Sequence, residues 1–96
     1  MAEINWTREA EKWLQDIYEY IAEDNPFAAS KVIAGIYTKA QKLKEFPKIG
    51  YIYRQEDGVR IILYGHYRIT YIIKSKNEID IIGVFHGALD MERYLK

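Results

Sequence analysis

With 96 residues, of which 49% are hydrophobic and 29% charged, the chain can build one core and not two, so a single domain over 1–96 is expected. Fourteen basic side chains cancel fourteen acidic ones, so no net field draws the molecule toward nucleic acid and any such attraction must come from a local patch. The lack of cysteine excludes a disulfide framework and a thiolate metal site; with no apolar run long enough for a membrane span and no signal-peptide pattern before Glu3, a cytoplasmic protein is expected.

Ile4 and Trp6 alternate with polar neighbours and predict a short edge strand over Glu3 to Trp6. Thr7 then suits an N-cap, with Glu9 and Glu11 near the positive end of the helix dipole. Ala10, Trp13, Leu14, Ile17, Tyr18 and Ile21 recur at offsets of three and four, which predicts an amphipathic helix. Asp24-Asn25-Pro26 ends it and starts a second helix, from about Pro26 to Glu45, with Asn25 as its cap and an apolar stripe through Ala29, Val32, Ile33, Ile36, Ala40 and Leu43. So short a link forces an antiparallel hairpin.

Phe46-Pro47 stops the second helix, Tyr51 to Arg54 reads as a short strand, and Gln55 to Gly58 returns the chain. From Val59 to His86 three apolar runs, broken at Gly65-His66 and at Ser75-Lys76-Asn77, predict an antiparallel meander. A three-residue loop with left-handed Asn77 sets Ile73 opposite Ile79, Tyr71 opposite Ile81 and Tyr67 opposite Phe85. Val59, Ile61 and Leu63 join that core face if the Gly65-His66 turn carries one extra residue. Residues 88–96 are short and mixed, suited to a turn of helix carrying Leu89, Met91, Tyr94 and Leu95. The expected fold is α+β, an edge strand and a two-helix hairpin on one face of a mainly antiparallel sheet of four or five strands.

The other sheet face then shows Arg60, Ile62, Tyr64, Arg68, Thr70, Ile72, Asp80, Ile82, Val84 and His86, too apolar for solvent and too charged for a core. Such a face is covered, by a terminal segment of the same chain or by a partner. Arg54, Arg60, Tyr64, Arg68, Ile72, Ile82, Val84 and His86 are accordingly the candidate partner-binding residues. Arg60, Arg68 and His86 form the one catalytic candidate, able to steady a phosphorane and move a proton in phosphodiester cleavage. Against it stands the ordinary structural use of strand arginines and of a strand-end histidine. Of nine tyrosines, Tyr67 and Tyr71 are assigned to the core, and Tyr51, Tyr53, Tyr64 and Tyr94 to an interface. His66 and His86 lack a ligating carboxylate pair, the glycines are scattered, and the serines lie outside any nucleophile elbow, so no metal or cofactor is expected.

Several segments in order carry a resemblance. Trp6-Thr7, Tyr20-Ile21-Ala22, Asn25-Pro26 with Ala28-Ala29, Phe46-Pro47 with Gly50, Val59-Arg60, Tyr67-Arg68-Ile69 with Tyr71, and Val84-Phe85-His86-Gly87 with Asp90 resemble the RelE/ParE superfamily of toxins from bacterial type II toxin–antitoxin modules, also described as plasmid-stabilisation proteins. The Asn25-Pro26 hairpin and the Val84-to-Asp90 ending are closer to the ParE-like branch. The resemblance implies a growth-inhibiting toxin that binds DNA gyrase, is not itself an enzyme, and is neutralised by a cognate antitoxin wrapping its grooves. Two alternatives stay open: a RelE-like endoribonuclease acting on messenger RNA at the ribosome through Arg60, Arg68 and His86, and an inactive member that only binds antitoxin. A homo-oligomer also stays open, and no membrane partner is implied.

Overall fold

The computed structural model describes residues 2–87, so the expected helical turn after Gly87, Tyr94 included, lies outside the described residues. The elements are β1 (Glu3–Trp6), α1 (Arg8–Ala22), α2 (Pro26–Gln41), a 3-10 turn (Lys42–Lys44), β2 (Tyr51–Arg54), β3 (Val59–Tyr64), β4 (Tyr67–Ser75) and β5 (Glu78–His86). They form one five-stranded sheet in the order β1-β5-β4-β3-β2, with β1 parallel to β5 and every other pair antiparallel. The second helix stops short of Glu45 because its last turn tightens into the 3-10 segment.

Local chemistry sets the helix starts. Thr7 is extended; its hydroxyl accepts from the Ala10 amide (3.2 Å) and donates to the Ile81 carbonyl (2.7 Å), so one side chain caps α1 and ties it to β5. Asn25 caps α2 by accepting from the Ala28 amide (3.0 Å), with Pro26 in the first turn, where its missing N–H costs nothing. The helices lay Ala10, Leu14, Ile36, Ala40 and Leu43 against Ile62, Ile69, Tyr71, Ile79, Ile81 and Val84 of the sheet.

The register follows expectation at Ile73↔Ile79 and Tyr71↔Ile81 and departs from it elsewhere. Asn77 keeps a negative φ; an irregularity between Ile73 and Ser75, not a left-handed Asn77, preserves the parity of the hairpin. Beyond Ile81 a bulge leaves Ile82 without a counterpart, so Thr70 faces Gly83, Arg68 faces Phe85, and Tyr67 faces His86 rather than Phe85. Gly65, at φ 58°, allows a tight two-residue turn with Tyr64 opposite Tyr67, and no extra residue enters. Ile62 therefore lies beside Ile69 and Arg60 beside Tyr71 on the helix side, whereas Val59, Ile61 and Leu63 lie on the far side.

The far side is not bare. Val59, Ile61, Thr70 and Phe85 are buried there. The Phe85 ring lies so close over Gly83 that a Cβ would come within 2.6 Å of it, and Trp13 of α1 meets the same ring edge-on at 4.7 Å.

The loop between α2 and β2 is held by two sheet side chains. Fully buried Tyr71 donates its hydroxyl hydrogen to the Pro47 carbonyl (2.7 Å) and accepts from the Gly50 amide (2.9 Å). Arg60 donates to the carbonyls of Gly50 (2.8 Å) and Lys48 (3.3 Å). A Cβ on Gly50 would sit 2.6 Å from the Tyr71 hydroxyl and 2.7 Å from the Ile61 carbonyl, so no larger residue fits unshifted.

Tyr71→Phe strips a partner from a buried amide and a part-buried carbonyl and should cost about 2 kcal/mol, read as a lower urea midpoint at unchanged slope. An unchanged midpoint would show the clamp to be idle. Burial pushes the Tyr71 hydroxyl above its ordinary range, against smaller opposing effects of the Gly50 hydrogen bond and Arg60. The folded chain thus keeps that proton where the unfolded chain loses it. Its contribution is complete below about pH 10 and fades as pH rises through the folded-state value, so the alkaline loss of stability should be shallower in Tyr71→Phe.

Candidate partner-binding surface

The sheet parity divides the candidate residues between two faces. Arg60, Tyr64, Val84 and His86 lie on the helix side, and Arg68 and Ile72 on the far side. The expected single mixed face does not exist, because β3 has the opposite parity and the Ile82 bulge exchanges the faces of the last part of β5.

Each residue has a local occupation. Arg54 pairs with Asp57 (2.8 Å) and lies over the Tyr53 ring at 5.9 Å, while its Nε is buried without a hydrogen-bond partner. Arg60 is committed to the Lys48 and Gly50 carbonyls. Tyr64 presses its ring on Gly35 of α2, where any side chain would collide with it, and so belongs to helix packing rather than to an exposed interface. Val84 is fully buried in the main core. Arg68 is half-buried opposite Phe85, Ile72 lies between Val59 and Asp80, and Ile82 is the bulge residue. His86 is exposed at the end of β5, its ring 5.2 Å from Tyr67 and 6.0 Å from His66. Arg60, Arg68 and His86 therefore do not meet on one phosphate. Among the described residues no three metal-ligating side chains gather.

Two concave surfaces went unread in the sequence. The first, about 300 Å³, lies between α1 and the ends of β4 and β5, walled by Trp13, Ile17, Tyr20, Tyr67 and Val84, with Asp16 and His86 as polar groups. Burial raises the Tyr67 hydroxyl above its ordinary range, and the nearby Tyr20 adds to this. The second, about 750 Å³, lies between the Phe46–Ile49 loop and the end of β4, with Ile73 as its apolar floor and Lys48 and Lys76 on its rim. The sequence signal for it was the apolar density of Phe46 to Tyr53 in a stretch too irregular to bury it.

The comparisons with known proteins bear on the family and the fold. The family model for the ParE toxin of the type II toxin–antitoxin system parDE matches residues 4–91. A toxin candidate of Sinorhizobium fredii (strain NBRC 101917 / NGR234), Y4kP, is 34% identical over 86 residues, covering 88% of this chain and 86% of that protein. Among solved structures, a chain of the chromosomal ParDE toxin–antitoxin system of P. aeruginosa aligns with a TM-score of 0.77 at 25% identity, over 92% of this chain and 98% of that one. A chain of the toxin–antitoxin complex RelBE2 of Mycobacterium tuberculosis shares the fold, with a TM-score of 0.69 at 21% identity, over 90% of this chain and 98% of that one. A model matched almost from end to end and a relative above 30% identity place the chain in the ParE toxin family of type II toxin–antitoxin systems.

Proposed function

We propose that this ParE-family toxin arrests growth by binding DNA gyrase, without catalysis of its own, and is neutralised by a cognate antitoxin. Family membership supports the first part. The observation that carries the choice of target is the separation of Arg68, opposite Phe85, from His86, opposite Tyr67, across the two faces of the sheet. A ribonuclease of the kind the sequence left open needs both groups on one scissile phosphate, the cation for its developing charge and the imidazole for its proton. The ParDE and RelBE2 structures are toxin–antitoxin assemblies, which supports the antitoxin as partner here.

The purified protein should inhibit gyrase supercoiling of relaxed plasmid, and undiminished supercoiling at saturating protein would contradict the proposal. Loss of a general acid or base lowers a ribonuclease by about 10²- to 10⁴-fold. Here His86→Ala should leave growth arrest in place, and primer extension on a reporter message should find no codon-positioned cuts. Codon-positioned cuts abolished by His86→Ala would replace gyrase with the ribosome as target.

A further inference from the structure

The zero net charge of the chain hides a strong polarity. Residues 31–76 carry ten lysines and arginines against three carboxylates, whereas residues 1–30 carry seven carboxylates against two cations. The groove of about 750 Å³ beside the α2–β2 loop lies in the basic part. Phe46 and Ile49 are 59% and 55% exposed there, an unusual outlay of apolar surface on a loop, and Ile52 just beyond is 45% exposed. Lys48 and Lys76 line the groove. The two ion pairs among the described residues are Arg54–Asp57 and Lys74–Asp80, so neither groove lysine has an acidic partner among those residues.

The groove is also preorganised. Tyr71 and Arg60 hold the Pro47, Lys48 and Gly50 backbone by four hydrogen bonds from below, so the exposed rings and methyl groups sit on a fixed frame. A partner docking on a fixed frame does not have to order it, which leaves more of the contact energy as affinity.

We infer that this groove receives the neutralising segment of the antitoxin, and that the segment is acidic with an apolar anchor residue. The inference rests on the antitoxin reading given above. Phe46, Pro47, Ile49 and Ile73 take the anchor, and Lys48 and Lys76 take flanking carboxylates. The carboxylates of α1 repel the same segment, so the charge pattern fixes where it lies as well as how fast it arrives. The apolar walls favour a peptide over nucleic acid, whose phosphates would engage the rim lysines and leave Ile49 and Ile73 uncovered.

The test measures binding of the product of the adjacent small reading frame to the full-length toxin and to two variants, K48E/K76E and Ile49→Ser, each checked for unchanged circular dichroism and urea midpoint. All three side chains lie outside the main core and make no bond to the Tyr71 hydroxyl. The expected result is at least tenfold weaker binding for each variant, with the K48E/K76E deficit shrinking in 0.5 M salt as screening removes the charge contribution. Affinities within twofold of the unaltered toxin would overturn the groove assignment while leaving the antitoxin reading intact. No binding by the unaltered toxin would overturn both. Binding of a labelled RNA oligonucleotide that depends on Lys48 and Lys76, with antitoxin affinity unchanged, would assign the groove to nucleic acid and overturn the inference.

Discussion

The hydroxyl of Tyr71 is the smallest part of this protein on which the most depends. It sits inside the core, where a hydroxyl without partners would be costly, and it is satisfied on both sides by backbone groups of one loop. That loop joins the helical layer to the edge strand β2, so the pair of bonds fixes where β2 begins and how the end of α2 meets the sheet. Gly50 is the complement to the hydroxyl, since any Cβ there would occupy the space the oxygen needs. Arg60 adds its two bonds beside Tyr71, and a strand arginine that looked like a catalytic or binding cation is used as a brace.

The sequence made the elements legible and the faces only partly so. Thr7, Asn25-Pro26 and the helical stripes announce α1 and α2 because caps and a 3.6-residue period are local signals. Strand boundaries were equally local. Face assignment was not, because it depends on register, and each irregular residue in a ladder exchanges the two sides. Ile82 looks like any other member of an apolar run, and nothing in Ile81-Ile82-Gly83-Val84 marks the bulge except a glycine whose missing side chain makes room for Phe85. In β3, Val59-Arg60-Ile61-Ile62-Leu63 is apolar at both parities, so its pattern could not choose a face. The candidate site inherited that ambiguity. Residues given to one surface were divided between a core position (Val84), a helix contact (Tyr64), a brace (Arg60) and the two sides of the sheet (Arg68 and His86).

Once those residues are occupied elsewhere, the two grooves are surfaces among the described residues that stand open to partners. The concave regions are walled by apolar and aromatic side chains with a few charges at their margins, as recognition sites are. Their electrostatics are opposite in kind, Asp16 standing in one and Lys48 with Lys76 on the other. A toxin of this size with two unlike grooves can meet two partners, its target and its antitoxin, by separate or overlapping contacts. Membership of the ParE family places the chain in type II toxin–antitoxin systems, the setting in which the proposed target and antitoxin would both be met.

Residue-resolved amide exchange, on the free toxin and on its complex with the antitoxin, tests the account most directly. The Gly50 amide, bonded to a buried hydroxyl, should exchange as slowly as amides in the centre of β4 although it lies in a loop, and complex formation should add protection at residues 46–52 and 73–76. Exchange of Gly50 at ordinary loop rates, or antitoxin protection confined to the outer face of α1, would contradict it.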